Sequence, residues 1–188
     1  MIRLYDYELS GNCYKLRLLL HWLGLGYERI PVDFHPGRAH KSEWFVQNIN
    51  PQGQLPVLDD NGFVLRDAQA CLVYLASAYD MGGYWYPDDA PTRGRIQLWL
   101  AMADDLTRSI SAARLHYSFG HAADLAQCDR TAHASLRLLD DSLAENQYNG
   151  QRWLAAGAPS IADIACFPYG ALAGEARIDL RPYPAVQA

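Results

Sequence analysis

The chain has 188 residues, of which half are apolar and a fifth are charged, a composition typical of globular proteins. Its formal net charge of -5 argues against a nucleic-acid partner, because proteins that bind nucleic acids present a basic surface. Apolar stretches of signal-peptide or membrane-spanning length are missing, so we expect a cytoplasmic protein without a membrane partner. The cysteines and histidines show no metal-ligand spacing, and we expect no metal.

Short strand-like segments and longer helix-like segments alternate over residues 1–80. Runs of β-branched and aromatic residues predict the strands, and apolar residues at helical spacing predict the helices. Asn61-Gly62 lies between two apolar runs and predicts the turn of a β-hairpin. In chain order, the predicted elements are a strand at 2–5, a helix at 13–23, a strand at 27–34, a helix at 42–48, hairpin strands at 56–58 and 63–65, and a helix at 67–79.

Strand patterning ends near residue 80. Residues 81–94 are rich in glycine and proline, carry the aromatic run Tyr84-Trp85-Tyr86, and predict a linker. Apolar residues at helical spacing then predict three helices, at 96–110, 132–143 and 160–173. We therefore predict an α/β domain at 1–80 and an all-helical domain at 95–188.

The turn Ser10-Gly11-Asn12 lies between the first strand and the first helix. The free N–H groups and the positive dipole end of a helix favour an anion there. Lowering the pKa of a thiol from ~8.5 by ~2 units requires ~2.7 kcal/mol. A hydroxyl, an amide and a helix N-terminus could supply it together. An N-cap serine followed by a turn asparagine explains the same residues, so both readings stay open.

Two further segments favour a peptide-like ligand. Pro56 stands at the start of a strand, where it cannot donate to the ladder. A cis bond there would turn the Leu55 backbone outward to pair with an extended peptide. Asp67 opens a helix, where its carboxylate can receive a ligand amine while the helix N–H groups take a ligand carboxylate. An ordinary loop and a plain N-cap are the alternatives.

Together these segments resemble the cytosolic glutathione S-transferase superfamily, and the resemblance covers the whole chain. The spacing of Ser10, Asn12 and Lys15 is closest to bacterial-type members that place a hydroxyl and an asparagine amide around the sulfur. The capping box that begins at Ser160 resembles the family's helical-domain motif. The matching segments are Leu4-Tyr5, Ser10-Gly11-Asn12-Cys13-Tyr14-Lys15-Leu16-Arg17-Leu18, Gln54-Leu55-Pro56-Val57-Leu58, Leu65-Arg66-Asp67-Ala68-Gln69-Ala70 and Pro159-Ser160-Ile161-Ala162-Asp163-Ile164.

The resemblance implies a thioredoxin-like N-terminal domain and a C-terminal helical bundle that, in the family, continues beyond Ala188. It also implies glutathione as co-substrate. Leu55 would contact the cysteinyl backbone, Asp67 and Ala68 the γ-glutamyl group, and Gln54 or Lys41 the rest of the tripeptide. The full implied set of glutathione-binding residues is Lys41, Gln54, Leu55, Pro56, Asp67 and Ala68.

Asp67-Ala68 stands where the family usually has Glu-Ser. Asp67 keeps the carboxylate on a side chain that is one methylene shorter, and Ala68 keeps its backbone N–H. The lost hydroxyl removes roughly 1 kcal/mol of hydrogen bonding. We expect weaker glutathione binding as a result.

Three groups near the first turn compete for the role of thiol activator. Ser10 with Asn12 is the first. Cys13 is the second, since a cysteine in the first turn of a helix has a depressed pKa and could form a mixed disulfide with glutathione. Tyr7 is the third.

The resemblance implies that Arg114, His116 and Tyr117, at the end of a long helix, shape the pocket for a small electrophile. The predicted function is a detoxifying transferase that conjugates the thiolate of glutathione to that electrophile. The alternatives are a glutathione-dependent disulfide reductase or peroxidase, and a binding protein of the same fold without turnover. The family is commonly dimeric, so we expect a homodimer.

Overall fold

The structure is a computed structural model that describes residues 1–188. The chain divides into two compact units, Met1–Met81 and Gly82–Ala188. None of its helices combines the length and apolar character needed to cross a membrane.

The first unit is a four-stranded mixed sheet with helices, which confirms the predicted thioredoxin-like class. The strand order is β2-β1-β3-β4, with β1 parallel to β2 and antiparallel to β3. Its elements are β1 (Ile2–Asp6), α1 (Gly11–Trp22), β2 (Tyr27–Pro31), a 3₁₀ turn (Ala39–Lys41), α2 (Glu43–Asn48), β3 (Val57–Asp60), β4 (Phe63–Leu65) and α3 (Ala68–Tyr79).

The hairpin between β3 and β4 forms where Asn61-Gly62 predicts it. Both residues adopt positive φ, 52° and 96°, as the tight hairpin turn requires. The buried Asp59 supports this turn, because its Oδ1 accepts from the Gly62 N–H at 2.8 Å. Helices α1 and α3 pack against each other, and Leu4 of β1 and Leu58 of β3 are fully buried.

The second unit is entirely helical, as the predicted bundle requires. Its elements are α4 (Ala90–Leu106), a π turn (Thr107–Ser111), α5 (Ala112–Phe119), α6 (Leu125–Tyr148), α7 (Ile161–Ala171), a 3₁₀ turn (Ala173–Ala176) and α8 (Pro184–Gln187). Within the unit, α4 packs against both α6 and α7.

The π turn between α4 and α5 coincides with two side chains that bond back to the helix. Thr107 Oγ1 donates to the carbonyl of Ala103 at 2.8 Å, and Ser109 Oγ donates to the carbonyl of Asp105 at 2.6 Å. Such bonds compete with the helix's own hydrogen bonds and disturb its regular winding.

The predicted capping box at the start of α7 is confirmed. Asp163 Oδ2 accepts from the Ser160 N–H at 2.8 Å, and Asp163 Oδ1 accepts from the Leu154 N–H at 2.9 Å. Burial raises the pKa of the Asp163 carboxyl, while these hydrogen bonds act in the opposite direction. One carboxylate therefore ties the preceding loop to the helix.

Candidate functional site

Strand register gathers the candidate segments at one edge of the sheet in the first unit. Tyr5, near the end of β1, lies opposite Val57, the first residue of β3. Leu58 in turn lies opposite Leu65, the last residue of β4. The turn after β1, the segment before β3 and the segment after β4 therefore leave the sheet at the same edge. These three segments hold Ser10, Leu55 and Asp67 respectively.

Ser10 is the N-cap of α1. Its Oγ accepts from the backbone N–H of Cys13 at 3.2 Å, and its own N–H donates to the carbonyl of Tyr7 at 3.0 Å. A hydroxyl that accepts through a lone pair keeps its proton for another acceptor. Asn12, the second residue of α1, is half-buried.

Cys13 does not have the depressed pKa that its position in the first helical turn predicts. Its side chain is fully buried, and burial raises the pKa of the thiol to about 12. The Ser10 hydroxyl and the Tyr7 N–H lower this pKa, but the nearby Asp6 carboxylate raises it further. Desolvation thus outweighs the helix terminus, and the expected reactive thiolate is corrected to a buried, protonated thiol.

The side chains of Tyr5 and Tyr7, at the end of β1, have different surroundings. The Tyr5 ring meets Phe45 edge to face, with centroids 6.3 Å apart, and packs against the small core that contains Val32 and Val57. The Tyr7 ring stacks on Phe34 with centroids 5.1 Å apart. Tyr7 remains half-buried beside the turn.

A buried carboxylate adjoins the Ser10 turn, and sequence reasoning missed it. Asp6, the last residue of β1, has a side chain with no solvent exposure and forms ion pairs with Arg17 of α1 and Arg29 of β2. A buried charge requires such partners. Arg29 lies opposite Leu4 in the register of β1 on β2, and sequence spacing does not reveal that register.

The Leu55-Pro56 peptide bond is cis, which is the alternative that would expose the Leu55 backbone. Pro56 is buried and Leu55 is half-buried. Neither backbone polar group of Leu55 is hydrogen-bonded within the chain. The preceding carbonyl, that of Gln54, accepts from Asn50 Nδ2 at 2.9 Å, which fixes the approach to the cis bond. A second cis bond, His35-Pro36, had no sequence signal.

Lys41 lies beside this loop on the 3₁₀ turn. Its Nζ donates to the carbonyl of Gln52 at 3.1 Å, and the side chain is exposed. Gly53 permits the contact, because a Cβ there would lie 2.9 Å from the Lys41 Cδ and 2.8 Å from the carbonyl oxygen of His40. The structure therefore brings Lys41 next to the segment that carries Gln54.

Asp67 is the N-cap of α3. Its Oδ1 accepts from the Ala70 N–H at 2.8 Å, and the residue is exposed. Ala68, the first residue of the helix, is buried. The neighbouring Arg66 donates from Nε to the carbonyl of Ile49 at 2.8 Å. The carboxylate therefore caps its own helix and still presents a second oxygen.

The three candidates for the electrophile pocket belong to the second unit, and each contacts other residues of that unit. Two nitrogens of Arg114 donate to the same oxygen, Glu175 Oε2, at 3.0 Å from Nε and 2.7 Å from a terminal nitrogen. His116 Nδ1 lies 2.9 Å from the His121 carbonyl oxygen, and the Arg177 guanidinium lies 4.1 Å from the Tyr117 ring centroid. Their role toward a substrate stays a prediction.

A mixed β2-β1-β3-β4 sheet joined to an all-helical unit places the chain in the thioredoxin-like class with a helical extension. The family model of the glutathione S-transferase N-terminal domain matches residues 4–83. Glutathione S-transferase D7 of Anopheles gambiae is 32% identical over 187 residues, which cover 98% of this chain and 82% of that protein. The chain therefore belongs to the glutathione S-transferase family.

Two other similar proteins bear on function. Maleylpyruvate isomerase of Ralstonia sp is 28% identical over 193 residues, which cover 100% of this chain and 89% of that protein. A solved structure of a glutathione transferase homologue from Lodderomyces elongisporus, with two GSH per subunit, matches with a TM-score of 0.86 and 25% identity. The match covers 99% of this chain and 89% of that one.

Proposed function

We propose that this protein binds glutathione at the sheet edge formed by Ser10, Leu55 and Asp67, stabilises its thiolate, and delivers it to a small electrophile. One observation carries the thiol chemistry. The Ser10 hydroxyl accepts its capping bond from the Cys13 N–H, which leaves its proton to donate to a sulfur anion. In the free protein this hydroxyl lowers the pKa of the neighbouring Cys13 thiol through a hydrogen bond, and the glutathione sulfur would replace Cys13 as its acceptor.

The edge also suits the tripeptide backbone. The N–H and C=O of Leu55, which bond to nothing within the chain, can pair with the cysteinyl backbone as an added strand. Asp67 offers its second carboxylate oxygen to the γ-glutamyl amine, and the helix start at Ala68 offers N–H groups to the γ-glutamyl carboxylate. We assign the remaining glycyl end to Lys41 and Gln54, because Lys41 Nζ donates to the carbonyl of Gln52, two residues before Gln54.

Formation of the glutathione thiolate near neutral pH requires stabilisation by the protein. Lowering the pKa of the glutathione thiol by ~2 units requires ~2.7 kcal/mol of preferential stabilisation. A charge-assisted hydrogen bond from Ser10, an amide donor from Asn12 and the N-terminus of α1 together reach that magnitude. The helix is 12 residues long, so its first N–H groups are aligned. Holding the thiolate against its partner then supplies the proximity contribution to the rate.

A second candidate reaction uses the same first step. The similarity to a maleylpyruvate isomerase spans the whole chain and favours a thiolate that adds reversibly to a carbon–carbon double bond. Addition makes that bond single, rotation about it follows, and elimination returns the thiolate with the isomerised alkene. Conjugation instead leaves glutathione bonded to the electrophile, either as the protonated adduct of a double bond or, with an aromatic halide, after the halide ion has left.

Calorimetry with glutathione is the first test, and absence of binding at millimolar concentration would overturn the proposal. Bound protein would then be assayed with an aromatic halide electrophile, a cis-configured unsaturated dicarboxylate, a small disulfide and an organic hydroperoxide. Conjugation supports the transferase, and isomerisation without net glutathione consumption supports the second candidate. Reduction of the disulfide or hydroperoxide would identify a reductase or peroxidase, whereas binding without turnover would identify a binding protein.

We also propose that the protein acts as a homodimer in the cytoplasm. In the second unit, Leu98 and Leu138 expose 57% and 56% of their surface. Leu138 borders an open groove that also contains Met102, Asp105 and Arg130. A two-fold pairing would cover the apolar residues and bring opposite charges together. Light scattering that reports a monomer would overturn the dimer.

A further inference from the structure

Arg17 contacts both the buried Asp6 carboxylate and two backbone carbonyls of the loop that follows β1. Its guanidinium pairs with the buried Asp6 carboxylate, donates to the Glu8 carbonyl at 2.9 Å and donates to the Tyr7 carbonyl at 3.4 Å. The side chain is 20% exposed. One side chain of α1 therefore fastens the last residue of β1 and the first two residues of the loop that follows.

The Tyr7 carbonyl connects Arg17 to Ser10. This oxygen accepts both from Arg17 and from the Ser10 N–H, the latter at 3.0 Å. Any shift of Tyr7 would therefore move the residue that carries the candidate hydroxyl. Misplacement of a reacting group by about 1 Å can cost on the order of 10²-fold in rate.

The negative charge of Asp6 gives a second reason why its contact with Arg17 matters. The Asp6 carboxylate faces Arg17, Arg29 and the Cys13 thiol, and Glu8 lies 3.9 Å from Arg29. An unneutralised carboxylate beside the turn would oppose formation of any thiolate held by Ser10. Arg29 alone is a poorer counterion, because its side chain is 40% exposed and more screened by water.

We propose that Arg17 is a positioning residue for the thiolate site, which sets the Ser10 loop and neutralises the Asp6 carboxylate behind it. This inference rests on the proposed glutathione function. Arg17 would then take part in the reaction without having to touch glutathione. The one guanidinium performs both tasks because it spans from the strand end to the loop carbonyls.

The test compares Arg17→Ala and Arg17→Lys with Arg3→Ala. Arg3 is a matched control, because it pairs with Asp59 on the neighbouring strand at 2.7 Å and does not contact the loop. Each variant is checked for folding by circular dichroism. The pKa of the bound glutathione thiol is then read from the ultraviolet absorbance of the thiolate across a pH series, together with kcat and KM.

Arg17→Ala is expected to raise the pKa of the bound thiol by about one unit, and so to lower kcat/KM roughly tenfold at a pH below that pKa. Arg17→Lys should recover part of the shift, since one ammonium can pair with Asp6 but cannot reach both carbonyls. Arg3→Ala should retain the wild-type profile. A folded Arg17→Ala protein with the wild-type thiol pKa and kcat/KM would overturn the proposal.

Two measurements keep the test decisive. If Arg17→Ala does not fold, Arg17→Gln alone is compared with the neutral pair Asp6→Asn and Arg17→Gln. The thiol pKa of the pair should lie closer to wild type than that of Arg17→Gln with Asp6 intact, and equal values would refute the charge role. Amide hydrogen exchange at Ser10 in the absence of glutathione should accelerate in Arg17→Lys but not in Arg3→Ala. Unchanged exchange would refute the loop-setting role even if the wild-type protein binds no glutathione.

Discussion

The Oγ of Ser10 lies 3.2 Å from the backbone nitrogen of Cys13, from which it accepts a hydrogen bond. The contact makes Ser10 the N-cap of α1 and at the same time directs its hydroxyl toward the first turn. Capping and thiol activation therefore depend on one side chain. Substitutions at this position need controls that separate lost stability from lost chemistry.

Ser10→Ala is expected to lower both stability and activity. Loss of the capping bond should cost ~1 kcal/mol of unfolding free energy, and loss of the donor to sulfur should lower kcat/KM by about tenfold or more at neutral pH. Ser42→Ala is the control, because Ser42 Oγ caps α2 through the Phe45 N–H, also at 3.2 Å. Urea unfolding should report similar losses in both variants. Equal losses of kcat/KM would contradict the role of the Ser10 hydroxyl.

Cys13 should be inert in the folded protein. Burial raises the pKa of its thiol to about 12, so little thiolate exists near neutrality to attack an alkylating agent. Peptide mapping by mass spectrometry after iodoacetamide treatment should find Cys13 labelled in urea but not in buffer. Cys13→Ala should keep its conjugating activity. Recovery of a Cys13–glutathione mixed disulfide from folded protein would reverse this assignment.

Asp67→Asn should weaken glutathione binding without destabilising the fold. Asparagine is an equally good N-cap, whereas the loss of charge removes about 1.5 kcal/mol from the contact to the ligand amine, or about tenfold in affinity. Asp89→Asn makes the same exchange at the N-cap of α4, where Oδ1 accepts from the Thr92 N–H at 3.0 Å. Calorimetry should show weaker binding in the first variant only. Unchanged affinity in Asp67→Asn would remove this residue from the site.

Ala68→Ser should strengthen glutathione binding. The substitution adds a hydroxyl donor at the first residue of α3, where the backbone N–H groups already favour an anion. A gain of ~1 kcal/mol corresponds to about fivefold tighter binding. Calorimetry against the wild-type protein measures it. Because Ala68 is buried, unfolding in urea must be measured as well, and weaker binding by a variant of normal stability would contradict the assignment.

Much of the fold could be predicted because its signals are local. The turn at Asn61-Gly62 and the caps at Ser10 and Ser160 each depend on residues within four positions of one another, and the structure has all of them. The sequence also indicates Pro56 as a candidate for a cis peptide bond, and the bond before it is cis. The largest differences lie in the second unit, where α4 begins at Ala90, inside the predicted linker at 81–94, and α6 spans Leu125–Tyr148 where a helix at 132–143 is predicted. In the first unit, β2 ends at Pro31 rather than at residue 34.

The rest of the candidate site depends on register, which sequence spacing does not reveal. The Asp6 carboxylate acquires its partners from α1 and β2 only after those elements pack. The same packing buries Cys13 and reverses the pKa shift that the helix terminus alone predicts. Local rules therefore identify Ser10 and Asp67, whereas the charge balance around Asp6 requires the tertiary structure.

The Asp60 carboxylate should make stability depend on pH. It accepts hydrogen bonds from the hydroxyls of Tyr74, at 2.8 Å, and Tyr79. The bond from Tyr79, aided by those from Tyr74 and Asn61, lowers the pKa of Asp60 against the effect of burial. A lowered folded-state pKa gives stability that is fully present above the unfolded value of ~3.9 and is lost as pH falls through the folded value.

Asp60→Asn should therefore cost about 1.5 kcal/mol of unfolding free energy at pH 7. The difference from wild type should shrink as the pH falls below ~4, because the wild-type carboxylate is then protonated and loses its own advantage. Urea unfolding at pH 7 and at successively lower pH measures this difference. Asp141→Asn, at an exposed position of α6, should follow the wild-type curve throughout. A difference between Asp60→Asn and wild type that stays constant down to the lowest pH would show that the carboxylate's charge contributes nothing to stability.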